Sequence, residues 1–168
     1  RMYQEYNKFW DSARTDQAEA IGLSKIEISI LASIVKAETN KVEEAPKIAG
    51  VYLNRLKKGM LLQADPTLKY ALGDFTIKRV LNEHKKVESP FNTYKHRGLP
   101  PGPINIPSVA MIDAVLKAED HNYLYFCAKP DFSGFHNFAR TLREHNYNAR
   151  IYQNALDEFD NQKKSLAL

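Results

Sequence analysis

The sequence has almost no cysteine and no long apolar run. Cys127 is the single cysteine among 168 residues, so no disulfide can form within the chain. No stretch approaches the roughly 18 consecutive apolar residues that a membrane-spanning helix needs, and the first residues lack the pattern of a signal peptide. Because the chain begins directly in a helical pattern, we expect it to be part of a longer protein, with any membrane anchor outside it.

A strong excess of either charge is also missing. The 24 basic and 20 acidic residues give a net charge of +4. The basic residues are spread along the chain in short pairs such as Lys57-Lys58 and Lys85-Lys86, whereas a nucleic-acid-binding domain usually concentrates them on one element. No nucleic acid partner is therefore expected, and a weakly basic surface instead suits a carboxylate-bearing polymer.

Motifs that hold metals, cofactors or phosphates are missing as well. The five histidines do not follow the spacing of a metal site, and no glycine-rich loop could cradle a phosphate. No Gly-x-Ser-x-Gly segment supports a serine nucleophile, although composition alone leaves a Ser-His-Asp triad open. We therefore expect neither a metal nor a cofactor.

The sequence does contain clear helix signals. Ser24 and Glu27 form a capping box, which predicts a helix to about Thr39. Pro46 in its first turn and Gly59 beyond its end delimit a second helix. The other predicted helices run from about Tyr3 to Ala13, from Asp65 as the N-cap of a short helix, from Ser108 to Lys117, and from a capping box of Thr141 and Glu144 to about Asn161.

Two short strands and a long loop complete the prediction. Strands are predicted at Tyr123 to Ala128 and at Phe135 to Ala139, joined by a hairpin turn, and Met60 to Ala64 is predicted to be a strand or an extended segment. Residues 89–107 are rich in proline, glycine and asparagine, so they form either a long ordered loop or a disordered one. An ordered loop of this length is usually functional. We predict an α+β fold with helices around a small, mainly antiparallel sheet and this loop lining an active-site groove. Residues 1–168 are expected to be one catalytic domain, with 1–23 as an N-terminal helix and linker and 24–168 as its core.

Glu38 is the strongest candidate for an acid catalyst. On a helical wheel, Leu31, Ile34 and Val35 form the apolar stripe, and Glu38 falls on the same side at the C-terminal end. Burial and the partial negative charge of the helix end both favour the neutral acid, which can protonate a leaving oxygen. Periodicity alone leaves two alternatives open: Glu38 could extend into solvent, or it could pair with Arg55 and become a poor acid. A substrate-facing role for Arg55 avoids that conflict.

Several other polar residues in loops or extended segments could bind a polar ligand. His136 alternates with Phe135 and Phe138 in a predicted strand, so it could point into a cleft or into solvent. For Asp65 the alternative is a purely structural role as a helix N-cap. For Asn92 the alternative is a purely structural role in a turn. The candidate substrate-binding residues are Arg55, Gln63, Asp65, Asn92, Tyr94 and His136.

Multi-residue motifs follow one another in a recognisable order along most of the chain. The helix around Glu38 contains LASIVKAET, and the proline-rich loop contains the most specific stretch, SPFNTY followed by GLPPGPI. The other motifs are VYLNRL at 51–56, LQADPT at 62–67, YLYF at 123–126 and FHNF at 135–138. Together, from about Met2 to about Asn154, they resemble the YceG-like family of endolytic murein transglycosylases. Lys36-Ala37 is a departure, since that family often has Glu-Lys there.

The resemblance implies a function, a substrate and a location. It implies that Glu38 is the catalytic glutamate of a lytic transglycosylase acting on peptidoglycan glycan strands. It also implies a parent protein anchored in the cytoplasmic membrane, with this domain on the extracytoplasmic side. A transmembrane helix and a LysM-like subdomain would precede the catalytic domain in that parent protein. Cell-wall synthesis proteins are expected as partners on the same basis.

The resemblance also implies a mechanism with one carboxyl group, whereas most glycosidases use two. Glu38 would protonate the oxygen that joins N-acetylmuramic acid to N-acetylglucosamine. The resulting carboxylate would then deprotonate the muramoyl 6-hydroxyl, which closes on the anomeric carbon to give a 1,6-anhydro end. Two alternatives stay open: a lysozyme-like muramidase with Asp65 as its second carboxylate, and a non-catalytic glycan-binding module.

Overall fold

Seven α-helices, one 3-10 helix and one pair of antiparallel strands occur in residues 2–166, the part of the chain that the computed structural model describes. Side chains are described for residues 3–162. The chain divides into two units, residues 1–120 and residues 121–168. The combination of helices with a small antiparallel sheet confirms the predicted α+β class. Within the described range, no helix is long and apolar enough to cross a membrane.

The regular secondary structure in the described part of the first unit consists of helices. A 3-10 helix, His84–Lys86, lies in the long connection before the last of its α-helices. The α-helices are α1 (Met2–Phe9), α2 (Ser12–Ile21), α3 (Lys25–Glu38), α4 (Ala45–Lys57), α5 (Asp65–Leu72) and α6 (Val109–Leu116).

Helix α3 lies at the centre of this unit and contacts α2, α4, α5 and α6. Its apolar stripe of Leu31, Ile34 and Val35 is fully buried, and each such side chain contributes about 1.5–3 kcal/mol through burial. The predicted capping box at its start is confirmed, since Glu27 N donates to Ser24 Oγ at 3.2 Å and Ser24 N donates to Glu27 Oε2 at 2.8 Å. The same helix therefore forms the centre of the core and places Glu38 at its C-terminal end.

The N-terminal helix prediction is wrong in its extent. The sequence predicts one helix over 3–13, whereas the structure has a break at Trp10 and Asp11 and a second helix after it. Trp10 is buried, and the Asp11 carboxylate accepts from Arg14 N at 2.9 Å as the N-cap of α2. Helix α2 is polar around most of its circumference and buries only Ala18, so its periodicity is too weak to predict it.

The proline-rich loop is attached to α3 by three hydrogen bonds. Ile104 N donates to Ser33 Oγ at 3.0 Å, and Asn105 Nδ2 donates to Ser33 O at 2.7 Å. Lys36 Nζ donates to Ile106 O at 2.7 Å. These bonds order the loop although residues 89–107 contain neither helix nor strand. That the loop lines an active-site groove stays a prediction.

The second unit consists of the predicted hairpin followed by a long helix. Strands β1 (Tyr125–Ala128) and β2 (His136–Ala139) pair antiparallel, each a little shorter than predicted. Helix α7 (Leu142–Leu166) contacts both strands. Its predicted capping box is confirmed, because Glu144 N donates to Thr141 Oγ1 at 3.2 Å and the Glu144 carboxylate accepts from Thr141 N at 3.3 Å.

Candidate active site

Glu38 is the last residue of α3, and a phenol from α4 holds its carboxyl group. Tyr52 donates its hydroxyl hydrogen to Glu38 Oε1 across 2.5 Å. Glu38 is half-buried, and Tyr52 is only 2% exposed. Of the two alternatives for Glu38, extension into solvent does not describe this arrangement, because the carboxyl group is fixed against the neighbouring helix.

The surroundings of Glu38 change its acidity. Burial is the main cause that raises the pKa of Glu38 to about 7, and the negative charge of Asp65 raises it further. The hydrogen bond from Tyr52 and the charge of Lys69 act in the opposite direction. A carboxyl group with this pKa is present in both protonation states near neutral pH. It can therefore donate a proton and take one back.

Tyr52 is a site residue that sequence reasoning did not identify. Burial, followed by the charge of Glu38, raises the pKa of the Tyr52 phenol, so the hydroxyl stays protonated and remains a hydrogen-bond donor. In the sequence, Tyr52 lies on the apolar stripe of α4 with Ile48 and Val51, which is typical of a core aromatic residue. The signal available was its polar tip on a buried face next to Arg55, since a buried tyrosine hydroxyl usually needs a partner.

A second tyrosine–carboxylate pair joins α5 to the proline-rich loop. Tyr94 donates its hydroxyl hydrogen to Asp65 Oδ1. Burial raises the pKa of Tyr94, and the hydrogen bond to Asp65 and the charges of Asp65 and Glu38 add to this. The predicted N-cap role of Asp65 is wrong: Ala64 is the N-cap, and Asp65 is the first residue of α5. The structure thus brings two of the predicted residues, Asp65 and Tyr94, into the electrostatic surroundings of Glu38.

Arg55 is joined to residues 61–63, including Gln63, by hydrogen bonds. Arg55 is 7% exposed, and its Nη1 donates to Leu61 O at 3.1 Å, to Leu62 O at 3.0 Å and to Gln63 Oε1 at 3.4 Å. The guanidinium therefore supports this segment. Substrate contact by Arg55 stays a prediction, because these bonds go to the protein itself.

Gln63 has an unusual backbone conformation for its residue type. Its φ is +50°, and left-handed residues other than glycine cost on the order of 1–3 kcal/mol unless their surroundings hold them. Gln63 N donates to Thr93 O at 3.1 Å, and the next amide, Ala64 N, donates to Thr93 Oγ1 at 2.9 Å. These bonds fix the strained turn and leave the Gln63 side chain exposed, which is compatible with its predicted contact to substrate.

Asn92 is fully buried, and its side chain is used within the protein. Its Nδ2 donates to Lys85 O at 3.0 Å and to Val87 O at 2.8 Å, while its Oδ1 accepts from Tyr94 N at 3.0 Å. These three bonds favour a role in shaping the loop and orienting Tyr94. A direct contact of Asn92 with substrate stays a prediction.

His136 lies in the second unit, on β2. It pairs with Ala128 in the ladder, is half-buried, and meets the Phe126 ring edge-on at 5.3 Å between centroids. Its predicted role at the substrate stays a prediction. Among the described residues, no three His, Cys, Asp or Glu side chains are grouped as metal ligands would be.

The chain matches a known protein family along most of its length. The sequence model of the YceG-like family matches residues 1–151. The chain belongs to the YceG-like family. This confirms the family that the motifs resemble.

Relatives of the chain with curated names include a Bacillus subtilis (strain 168) protein named endolytic murein transglycosylase. It is 36% identical over 157 residues, which cover 94% of this chain and 42% of that protein. A protein of the same name from Streptococcus pneumoniae (strain D39) is 33% identical over 133 residues, covering 77% of this chain and 24% of that protein.

A crystal structure of a YceG-like protein from Listeria monocytogenes has the same fold, with a TM-score of 0.73 at 38% identity. The alignment covers 81% of this chain and 44% of that one. The chain therefore spans less than half the length of each of these relatives.

Proposed function

We propose that this chain is the catalytic part of a lytic transglycosylase that cleaves peptidoglycan glycan strands. The observation that carries the proposal is the half-buried Glu38 carboxyl group, with a pKa of about 7 and a hydrogen bond from Tyr52. The names of the Bacillus and Streptococcus relatives, both endolytic murein transglycosylases, support the substrate and the reaction type.

In the first step, the protonated Glu38 acts as the general acid. Because Tyr52 occupies Oε1, the proton is carried on Oε2 and passes to the oxygen that joins N-acetylmuramic acid to N-acetylglucosamine. The bond from that oxygen to the anomeric carbon breaks, and the N-acetylglucosamine side leaves as an alcohol. Positive charge develops at the anomeric carbon, and the substrate's own acetamido group relieves it.

In the second step, the same group acts as the general base. The Glu38 carboxylate is stabilised by the hydrogen bond from Tyr52 and takes the proton of the muramoyl 6-hydroxyl. The 6-oxygen then bonds to the anomeric carbon and closes the 1,6-anhydro ring. Glu38 ends in the protonation state in which it began, and no water is consumed.

The proposal also includes the setting of the reaction. Cleavage at internal bonds, action on the extracytoplasmic side and attachment to the cytoplasmic membrane through a segment outside this chain are parts of it. The relatives' names support the first two, and the family resemblance is the reason for the third. Contacts with cell-wall synthesis proteins are proposed on the same basis.

Product analysis tests the reaction type. The protein is incubated with purified peptidoglycan, and the released fragments are examined by mass spectrometry. We expect 1,6-anhydro ends, which are lighter by one water than the reducing ends that hydrolysis leaves. Reducing ends would instead identify a muramidase, in which Asp65 would be the candidate second carboxylate. Binding to peptidoglycan without soluble product would identify a glycan-binding module.

The pH dependence provides a prediction with opposite signs for two variants. With the acid form required first, kcat/KM falls as the pH rises through the pKa of Glu38, about 7. Tyr52→Phe removes a hydrogen bond that lowers this pKa, so the alkaline midpoint should move to higher pH. Asp65→Asn removes a charge that raises it, so the midpoint should move to lower pH. Midpoints that stay fixed or move together would exclude Glu38 as the titrating acid.

A further inference from the structure

A cavity of about 660 Å³ lies beside the start of α7 in the second unit. This volume is in the range of pockets that accept small ligands or parts of larger ones. All its lining residues belong to that unit: Phe138 comes from β2, and the others come from the first turns of α7. The cavity is therefore formed by strand β2 and helix α7, which contact one another.

Three residues of α7 share one side of the helix and border this cavity. Arg143, Tyr147 and Arg150 follow one another at intervals of four and three residues, the spacing that places side chains above one another on a helix. Tyr147 is 66% exposed, and both arginines are exposed. The stripe thus presents an aromatic ring between two guanidinium groups.

Neither guanidinium of this stripe is used by another residue whose side chain the structure describes. Within residues 3–162, the guanidinium groups of Arg143 and Arg150 form no ion pair and no hydrogen bond. The single carboxylate in the lining, that of Glu144, is occupied by the backbone amides of Arg140 and Thr141 in the helix cap. The lining therefore has a net positive charge with donors available to a ligand.

The chemistry of the stripe favours carboxylates joined by a short, partly apolar chain. Guanidinium groups form paired hydrogen bonds with carboxylates, while the rings of Tyr147 and Phe138 can cover apolar groups. Arg143 and Arg150 are seven residues apart, which is roughly 10 Å along a helix. An extended peptide advances by about 3.3 Å per residue, so the two arginines match carboxylates about three residues apart.

We propose that this stripe binds the carboxylate-bearing peptide stem of a peptidoglycan strand, with Arg143 and Arg150 on the carboxylates and Tyr147 packed on the chain between them. The inference rests on the proposed function for the identity of the polymer. It adds a binding site on the second unit that recognises the peptide rather than the sugar. The enzyme would accordingly prefer strands that carry stems over strands from which they have been removed.

Binding without cleavage tests this site. The full chain carrying Glu38→Gln, which should not turn over substrate, is titrated with soluble glycan fragments that bear peptide stems and with the same fragments after an amidase has removed the stems. We expect tighter binding of the stem-bearing fragments. Adding Arg143→Gln and Arg150→Gln should weaken that binding about tenfold, from two exposed charge pairs, and leave the stem-free fragments unaffected.

A matched pair of substitutions controls for general charge effects. Lys78 and Arg79 are exposed in the first unit, and Lys78→Gln with Arg79→Gln removes the same charge elsewhere. Equal loss in both double variants, or no difference between the two kinds of fragment, would overturn the proposal. Self-association that the α7 double variant abolishes, without any preference for stems, would overturn it in favour of a second copy of the chain.

The outcome is distinguishable from a failure of the proposed reaction. If the unsubstituted protein yields no anhydro ends but the stem preference and its loss in the α7 double variant are observed, the stem site stands and the lyase assignment falls. If anhydro ends form and no stem preference is found, the reaction stands and the stem site falls. Circular dichroism and thermal melting confirm that each variant is folded before titration.

Discussion

Replacing Glu38 with glutamine is expected to lower the rate of peptidoglycan cleavage by about a thousandfold or more. One positioned acid or base typically contributes about 10²–10⁴-fold to a rate, and here a single group is proposed to perform both proton transfers. The amide of glutamine has no acidic proton to donate at neutral pH and is too weak a base to take one. Release of anhydro fragments from purified peptidoglycan, followed by chromatography, measures the effect.

The same substitution should leave the fold intact. The side-chain oxygen of glutamine can still accept the hydrogen bond from Tyr52, and the substitution removes a carboxyl group whose charged form is disfavoured by burial. The melting temperature should therefore stay close to that of the unsubstituted protein. Glu43→Gln, the same change at an exposed position five residues further on, is the control and should keep full activity. Near-normal cleavage by Glu38→Gln would contradict the proposed mechanism.

Replacing Asn92 with alanine is expected to lower the free energy of unfolding by about 3 kcal/mol. The substitution removes three hydrogen bonds of a fully buried side chain, each worth about 1 kcal/mol net, and leaves backbone groups without partners. Urea denaturation monitored by circular dichroism measures the change. Activity should fall as well, because the hydrogen bond to Tyr94 N helps to place the loop that carries Tyr94.

Asn92→Asp separates the parts of this effect. Aspartate can still accept from Tyr94 N, but it cannot donate to the carbonyl oxygens of Lys85 and Val87. Its carboxylate would also face these two carbonyl oxygens in a buried position, so the free energy of unfolding should fall at least as far as in Asn92→Ala, although the Tyr94 amide stays paired. If Asn92→Ala instead retained full stability and lost only activity, Asn92 would be a substrate contact rather than a support for the loop.

Part of the proposed site could be predicted from the sequence because it depends on local patterns. The position of Glu38 on its helix depends on a capping box that spans four residues and on an apolar stripe with helical spacing, and both are local patterns. The C-terminal capping box and the hairpin depend on patterns of the same range. Helix α2, in contrast, has no apolar stripe of comparable strength, so the break before it and its own helical state were not predicted.

The partners of the polar side chains could not be predicted in this way. Tyr52 meets Glu38 across 14 residues, and Tyr94 meets Asp65 across 29. No periodicity relates positions on different elements, and each of these tyrosines has the sequence context of an ordinary core residue or loop residue. The motifs predicted that Asp65, Asn92 and Tyr94 matter, but they did not distinguish a buried support such as Asn92 from an exposed side chain such as Gln63.

The sequence by itself determined the family, the α+β class and the placement of Glu38 on the core-facing side of a helix end, because these follow from local patterns and from the order of the motifs. The tertiary structure alone decided that Tyr52 holds Glu38 and that Asp65 and Tyr94 pair beside it. The acidity of Glu38 depends on burial and on charges brought together by packing, which act through distance in space rather than separation along the chain.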